Sequence, residues 1–394
     1  MKKVIASTLA ALSLTTTVAV ASEPVEWYSH ASKLKFSGLT YLGYTNYNFD
    51  DTQSKKYAGV AGQSLNKFEM RRAYVQVKAY LLEDPKSYFR VTLDMEHVDK
   101  SGATQGDYNV RFKYAYLFLN EILPYTGVEL GIAHRPWIDY EEHNSWFYRD
   151  THWTFTEAGN AAKLSNSADL GFNFKTKTKY FSSEVGMFTG EGYHDVEDGQ
   201  GMSFEWRATA HILGENGKDA QTTKTYWDAS FFGQYNKNNN KYDQAVSTGA
   251  IDNEDLVWGG LHTVFNMPVF MIAAQYIQSQ DSLDKPDVYR KAGKGFNAHA
   301  VVRFGEEKQF RVVGRYDTWT PDAVETLGTK FYVDNTENLK KNTYYLGFVW
   351  EQNSNVQWVA NVINYDNDIG KNGERATDAQ ANGTQYMLTA QLSF

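Results

Sequence analysis

The chain has 394 residues, a net charge of −8 and no cysteine, and 15% of its residues are aromatic although its mean hydropathy is −0.55. The acidic balance argues against a nucleic-acid-binding surface, and the lack of cysteine excludes a disulfide scaffold. No segment after the first 21 residues approaches the roughly 20 apolar residues that a membrane helix needs. If the mature protein lies in a membrane, it therefore crosses as β-strands.

The N-terminus has the pattern of a secretory signal peptide. Lys2 and Lys3 precede an apolar run from Val4 to Val20, and the triplet Ala19-Val20-Ala21 stands before Ser22. A basic start, an apolar middle and an A-x-A cleavage site are typical of exported chains. We expect residues 1–21 to be removed near Ala21, leaving residues 22–394 as a single domain.

The rest of the chain reads as about sixteen strands, most of them close to the 9–11 residues of a tilted membrane strand. Short connections follow the even-numbered strands and longer ones mostly follow the odd-numbered strands, as in a closed antiparallel barrel with short turns at one end. The sequence predicts an all-β transmembrane barrel. The strands are expected at 33–47, 66–82, 88–98, 109–119, 127–135, 168–176, 180–190, 202–213, 224–235, 256–266, 269–279, 295–304, 310–319, 343–352, 356–365 and 384–394.

The last strand carries the clearest two-residue period. In Tyr386–Phe394 apolar and polar side chains alternate, and the chain stops on a phenylalanine. Alternation of this kind separates a lipid-facing side from an inner side. We expect the Phe394 strand to be the segment that the outer-membrane barrel-assembly machinery recognises. In the first and fourth strands the alternation is ambiguous, and an error of one residue would reverse the facing of every side chain.

The longest connection, residues 136–167, is the third of the long ones. At about 30 residues it exceeds the length at which a structureless loop inside a compact domain becomes suspect unless it has a function. We expect it to fold inward and narrow the pore, and the alternative is an external loop that packs against neighbours or lipopolysaccharide. Its candidate residues at the constriction are Glu141, Glu142, His143, Trp146, Tyr148, Arg149, His152, Trp153, Glu157 and Lys163.

Many of the arginines lie inside the predicted strands. In most cases the residues next to them in sequence are apolar and are expected to face outward. A charge facing lipid near the membrane midplane costs about 2–4 kcal/mol, so these side chains are expected to face the lumen. Rows of arginine are one way to build an anion pore, because the guanidinium group stays charged and binds oxyanions. Pairing with Asp94, Glu96, Glu205 and Asp317 is the competing interpretation. The candidates are Arg72, Arg90, Arg111, Arg135, Arg207, Arg303, Arg311 and Arg315.

The sequence offers little for an enzyme. The nine histidines lack metal-ligand spacing, and the sequence shows no G-x-S-x-G motif and no Ser/His/Asn constellation on adjacent predicted strands. His211, His262 and His299 are expected to face the lumen without a catalytic role. The acidic segment 190–199 lacks the regular spacing of a calcium site. We therefore predict no enzymatic activity, no metal and no cofactor.

Four passages, the first of them continuing from residues 68–81 into residues 87–96, resemble the phosphate-selective porin family of Gram-negative outer membranes. They are FEMRRAYVQVKAYL (68–81), SYFRVTLDME (87–96), VELGIAHRPW (128–137), EVGMFTGEG (184–192) and FRVVGRYDTW (310–319). Their order matches that family over nearly the whole mature chain. The resemblance implies a sixteen-stranded anion porin that forms trimers, each barrel having its own pore lined by an arginine ladder.

One departure from the family concerns the constriction loop. It lacks a cluster of basic residues and instead holds Glu141, Glu142, Asp150 and Glu157. We therefore predict an outer-membrane porin for small anionic or neutral solutes with modest anion preference, possible phosphate selectivity, no nucleic-acid partner and no reaction. The alternatives are a plugged barrel with a structural or adhesive role, or a cation- or sugar-preferring pore in which Trp146, Tyr148, Trp153 and Trp319 stack on sugar rings.

Overall fold

The computed structural model describes most of the strands and only part of the connections between them. The described residues are 31–49, 64–98, 107–193, 201–214, 224–237, 255–281, 292–322, 339–368 and 382–394. The predicted signal peptide (1–21) and most of the acidic segment 190–199 lie outside them. Within these ranges no helix has the length and apolar character needed to cross a membrane.

Sixteen antiparallel strands form one closed barrel in which each strand pairs with its neighbours in sequence, and β1 pairs with β16. Each predicted strand corresponds to an observed one, which confirms the fold. A helix, α1 (Pro136–Asn144), begins the connection after β5. The strands are β1 (Ala31–Phe49), β2 (Ser64–Leu81), β3 (Tyr88–Val98), β4 (Asp107–Leu123), β5 (Thr126–His134), β6 (Ala168–Lys177), β7 (Phe181–Phe188), β8 (Met202–His211), β9 (Tyr226–Lys237), β10 (Leu256–Met267), β11 (Phe270–Asp281), β12 (Gly293–Phe304), β13 (Phe310–Pro321), β14 (Lys341–Asn353), β15 (Val356–Tyr365) and β16 (Gly383–Ser393).

The C-terminal residue takes part in closing the barrel. The Phe394 N–H donates to the Gly38 carbonyl, and the Gly38 N–H donates to the Phe394 carbonyl, each at 3.1 Å. The register of β16 on β1 continues from Leu39 opposite Ser393 to Phe49 opposite Gly383. A continuous ladder leaves no open sheet edge, which is the condition for a stable sheet surrounded by lipid.

The strands alternate between an apolar outer face and a polar inner face. In β8, Met202 and Phe204 are exposed on the outside, whereas Ser203, Glu205 and Arg207 are buried. Aromatic rings cluster on the outside near both ends of β12–β14. Phe304, Phe310 and Phe348 lie near one end, and Phe296, Tyr316 and Tyr344 near the other. Two such girdles are typical of barrels that span a bilayer.

Candidate functional site: the barrel interior and its constriction loop

The connection 135–167 enters the barrel, which confirms the prediction of an inward-folded third loop. Proline suits the first turn of α1, because that position needs no backbone donor. Trp137 stacks on Phe232 of β9 with ring centroids 3.5 Å apart, and the Tyr140 hydroxyl donates to Asp228 at 2.6 Å. The helix is therefore attached to the wall by both an apolar and a polar contact.

The second half of the loop follows the wall further, from β12 to β14. The Thr151 hydroxyl lies 3.0 Å from the Tyr345 hydroxyl, and the Asn160 amide donates to Thr343 at 2.7 Å. His299 contacts the Ser145 carbonyl at 3.1 Å through Nε2. The loop therefore covers the inner face of β8–β14 and leaves the inner face of β1–β4 opposite it.

The predicted constriction residues divide by exposure. Trp153 is 41% exposed, and Lys163 is exposed as well. Burial raises the pKa of Glu141 to about 7, because the charged carboxylate is removed from water, and burial likewise lowers the pKa of His152. The buried members are Glu141, Trp146, Tyr148, His152 and Glu157, and the partly buried members are Glu142, His143 and Arg149.

The charges that the loop presents toward β1–β4 largely neutralise one another. Arg149 forms ion pairs with both Glu142 and Glu157, one of them at 3.0 Å between Nη2 and the Glu157 Oε1 atom. Asp150, next to them, is 1% exposed, and burial raises its pKa to about 7, while Arg71 of β2 acts in the opposite direction. The acidic character expected from the loop sequence is thus reduced by one internal arginine and by burial.

A continuous series of polar contacts runs from α1 through β9, β8, β7 and β6 and returns to α1. The contacts are Tyr140 to Asp228 at 2.6 Å, Asp228 to His211 at 2.8 Å, His211 to Ser182 at 3.0 Å, Ser182 to Arg207 at 3.1 Å, Arg207 to Glu184 at 2.9 Å, Glu184 to Lys175 at 3.3 Å and Lys175 to Asp139 at 2.9 Å. We call this set the anchoring network. Two consecutive helix residues, Asp139 and Tyr140, are fixed through four strands.

Three members of the anchoring network stand in the order of a catalytic triad that the sequence had not revealed. His211 Nδ1 contacts Asp228 and His211 Nε2 contacts Ser182, whose hydroxyl also accepts a hydrogen bond from Arg207. Ser182 and His211 are far apart in sequence and meet only because β7 and β8 pair. Sequence reasoning did not identify this group, and all three residues are at most 7% exposed.

Five of the eight candidate ladder arginines lie on the side of the barrel that the loop covers. All five face the interior and are at most 6% exposed. Most have a carboxylate partner, as the competing interpretation expected. Their contacts are Arg135 with Glu205 at 2.7 Å, Arg207 with Glu184 at 2.9 Å, Arg311 with Glu351, Arg315 with Asp317 at 2.7 Å, and Arg303 with the Met267 carbonyl at 2.9 Å.

The other three, Arg72, Arg90 and Arg111, stand on β2, β3 and β4, opposite the loop. Arg72 and Arg111 share Asp94, at 2.7 and 3.3 Å. Arg90 has neutral neighbours instead: the guanidinium lies 4.5 Å from the Tyr114 ring centroid and 3.3 Å from the Tyr116 hydroxyl. The side chain of Glu96, another expected partner, lies outside the described residues.

Two further cations on this wall, Arg71 and Lys113, were missed in the sequence. The side chains of Arg71 and Lys113 face the interior, and so do those of the next residues, Arg72 and Tyr114. Strict alternation would place such neighbouring side chains on opposite faces of the sheet. The β1–β2 and β3–β4 ladders each skip one residue at these positions. The adjacent pair Arg71-Arg72 inside a strand was the available signal, because one of two neighbouring arginines would otherwise face lipid.

Structural comparison indicates the class of fold. An anion-selective porin from Comamonas acidovorans is 14% identical and superposes with a TM-score of 0.60, covering 92% of this chain and 99% of that one. OmpF of Salmonella typhi, in complex with daunomycin, is also 14% identical with a TM-score of 0.60, at 93% and 99% coverage. The outer-membrane channel DcaP of Acinetobacter baumannii is 11% identical with a TM-score of 0.56, at 92% and 97% coverage.

The chain therefore has the fold of the outer-membrane porins. No family model and no curated protein sequence matches it.

Proposed function

We propose that the protein is an outer-membrane porin through which small hydrophilic solutes diffuse passively, with a modest preference for anions. The observation that carries this proposal is the asymmetry of the interior. The loop covers the inner face of β8–β14, while Arg71, Arg90 and Arg111 on the opposite wall remain partly exposed. A passage beside these cations has a positive potential at its wall, which favours anions.

Modest selectivity is proposed because acids compensate part of this charge. Arg72 and Arg111 share Asp94, and Glu142 on the loop is partly exposed. We also propose that the pore binds phosphate, as the family resemblance implies. This proposal rests on the guanidinium groups alone, since the loop supplies one arginine that is already paired with two carboxylates.

A sugar-preferring pore is less well supported. Trp146 and Tyr148 are completely buried and Trp319 is 2% exposed, so their ring faces are not available to stack on a passing sugar. Trp153 is the exposed member of that set. A cation-preferring pore would require the loop acids to dominate, and Arg149 pairs with two of them.

We further propose that the chain carries a signal peptide cleaved near Ala21, is inserted by the barrel-assembly machinery through the Phe394 strand, and forms homotrimers among outer-membrane lipid and lipopolysaccharide. The fold supports the location. A structure of Vibrio cholerae OmpT described as a trimer form superposes with a TM-score of 0.58 at 10% identity, covering 92% of this chain and 99% of that one, which supports the oligomeric state.

We also propose that the protein catalyses no reaction. In the group Ser182, His211 and Asp228, the Ser182 hydroxyl is held by Arg207 and the Asp228 carboxylate by Tyr140, which fits an anchoring role. A p-nitrophenyl acetate assay on folded protein tests this. Hydrolysis that disappears in Ser182→Ala would contradict the proposal.

The main experiment is single-channel conductance of refolded protein in planar bilayers under a KCl gradient, followed by addition of phosphate. Current steps with an anion-selective reversal potential support the porin, and steps in multiples of three support the trimer. Reduction of the chloride current by phosphate would extend the preference to that solute. A barrel that inserts but gives no steps would favour a plugged structural role.

A further inference from the structure

The β2 strand contains a β-bulge at Arg71. Tyr41 of β1 pairs with Arg72, and the next residue, Leu42, pairs with Met70, so Arg71 has no partner in the ladder. Arg71 contacts the sulfur of Met387, a buried residue on the inner face of β16, at 3.3 Å, and Arg72 contacts the buried Asp94 at 2.7 Å. A bulge changes the direction of side chains, and here it places two consecutive arginines inside the barrel.

The β4 strand repeats this arrangement at Lys113. Thr92 of β3 pairs with Tyr114, and Leu93 pairs with Phe112, so Lys113 is skipped. Phe112 is exposed on the outer face, whereas Lys113 Nζ contacts the Tyr74 hydroxyl at 3.3 Å and lies 4.7 Å from that ring centroid. Without the bulge, Lys113 or Tyr114 would have to face lipid.

The two bulges lie on either side of one carboxylate. Asp94 on β3 binds Arg72, the neighbour of the first bulge residue, and Arg111, two residues before the second. The adjacent strands β2, β3 and β4 thus carry four interior cations, of which two bind this acid: Arg71, Arg72, Arg111 and Lys113. Strict alternation would place one of Arg71 and Arg72 inside, together with Arg111 and Lys113, which are two residues apart. The bulge at Arg71 therefore adds one cation, and the bulge at Lys113 brings Tyr114 inside beside it.

Arg71 and Lys113 are the least compensated of the four. Glu69 is 3.8 Å from Arg71, but it is closer to Lys67, at 2.8 Å. Lys113 is 4% exposed and has no carboxylate within 4 Å among the described residues, unlike most of the buried arginines beneath the loop. The loop groups that face this wall are Glu142, Arg149, Asp150 and Glu157, of which the first and last are paired with Arg149.

We propose that Arg71 and Lys113, the two interior cations that stand at the β-bulges, set the anion preference of the pore by attracting small anions to the wall opposite the loop. This inference rests on the proposed porin function and names the residues that determine its selectivity. The arginines beneath the loop then stiffen the wall and contribute little to selectivity.

The test uses full-length protein refolded in planar bilayers under a KCl gradient. Arg71→Gln/Lys113→Gln should lower the anion-to-cation permeability ratio about two- to fivefold, which is the effect expected when two screened charges are removed from the pore wall. The charge-conserving variant Arg71→Lys/Lys113→Arg should keep the ratio of the natural protein. Lys177→Gln/Lys179→Gln, which removes two exposed cations at a short turn, controls for net charge and should also keep it.

The inference and the proposed function fail in different ways. If the natural protein inserts into the bilayer but gives no conductance, the proposed porin function is contradicted, and no ion selectivity can be measured. A conducting protein whose reversal potential is equal in the natural and Arg71→Gln/Lys113→Gln forms overturns the inference alone. The shift toward cations is expected whatever the starting sign of selectivity. If the double variant does not insert, Arg71→Gln and Lys113→Gln measured separately decide, and an unchanged ratio in both overturns the inference.

Discussion

The two halves of the barrel wall use arginine in different ways. On β8–β14 the constriction loop covers the inner face, and arginines such as Arg207 and Arg315 are buried in ion pairs. On β2–β4 Arg71, Arg90 and Arg111 are partly exposed, and Arg90 rests on tyrosine rings without a close carboxylate among the described residues. Residues of one type at similar strand positions thus contribute to stability on one side and, we propose, to solute selection on the other.

The largest effect is expected where a buried pair on the covered wall is broken. Asp317→Ala leaves the Arg315 guanidinium buried 4.2 Å from the Trp146 ring centroid without its bidentate partner. Loss of one partner of a buried pair costs about 3–5 kcal/mol. Urea unfolding in lipid vesicles, followed by tryptophan fluorescence, measures this change. Glu306→Ala in an exposed turn is the matched control, and equal stability of the two variants would contradict a structural role for the pair.

A smaller loss is expected from the anchoring network. Tyr140→Phe removes the hydroxyl that donates to Asp228 and leaves that buried carboxylate with one donor fewer, which should cost about 1–3 kcal/mol. Because α1 then has one attachment fewer, the open-channel current should also become noisier. Tyr180→Phe, at an exposed turn, should change neither quantity. Unaltered noise in Tyr140→Phe would mean that the other contacts hold the helix alone.

The two walls can be compared directly through a single neutralised arginine on each. Arg90→Gln should lower the anion-to-cation permeability ratio about twofold, because one charge beside the pore is removed. Arg303→Gln should leave the ratio unchanged, because Arg303 stands on β12, beneath the constriction loop, and donates to the Met267 carbonyl at 2.9 Å. Reversal potentials in a KCl gradient measure both. A larger shift in Arg303→Gln than in Arg90→Gln would reverse the assignment of the two walls.

The sequence was sufficient for the barrel and for the inward loop, because both follow from local patterns. A two-residue period identifies each strand, and a connection of about 30 residues between short strands requires an explanation. The pairing of Arg72 and Arg111 with Asp94 could also be predicted from alternation. Lys113 stands two residues from Arg111 and shares its face, so alternation could have identified it as well. The facing of both Arg71 and Arg72 could not be derived from alternation, because a bulge is a property of two paired strands.

Asp150 lies in the constriction loop and interacts electrostatically with Arg71 on the opposite wall, which gives a prediction about pH. Its pKa of about 7 is above that of an ordinary aspartate, so the folded protein binds more protons than the unfolded chain between about pH 4 and 7. Stability should therefore fall as pH rises through this window. Above pH 7 the charged Asp150 offsets Arg71, so anion preference should also decline between pH 6 and 8.

Asp150→Asn should weaken this pH dependence of the reversal potential, because one of the charges that respond to pH is removed. Glu141→Gln provides the matched comparison. Burial raises the pKa of Glu141 to about 7 as well, but Glu141 contacts Gln275 of β11 on the covered wall. The Glu141→Gln variant should therefore leave the pH dependence of the anion-to-cation permeability ratio unchanged. If Glu141→Gln flattened the profile and Asp150→Asn did not, the charge that responds to pH would lie beneath the loop and not opposite Arg71.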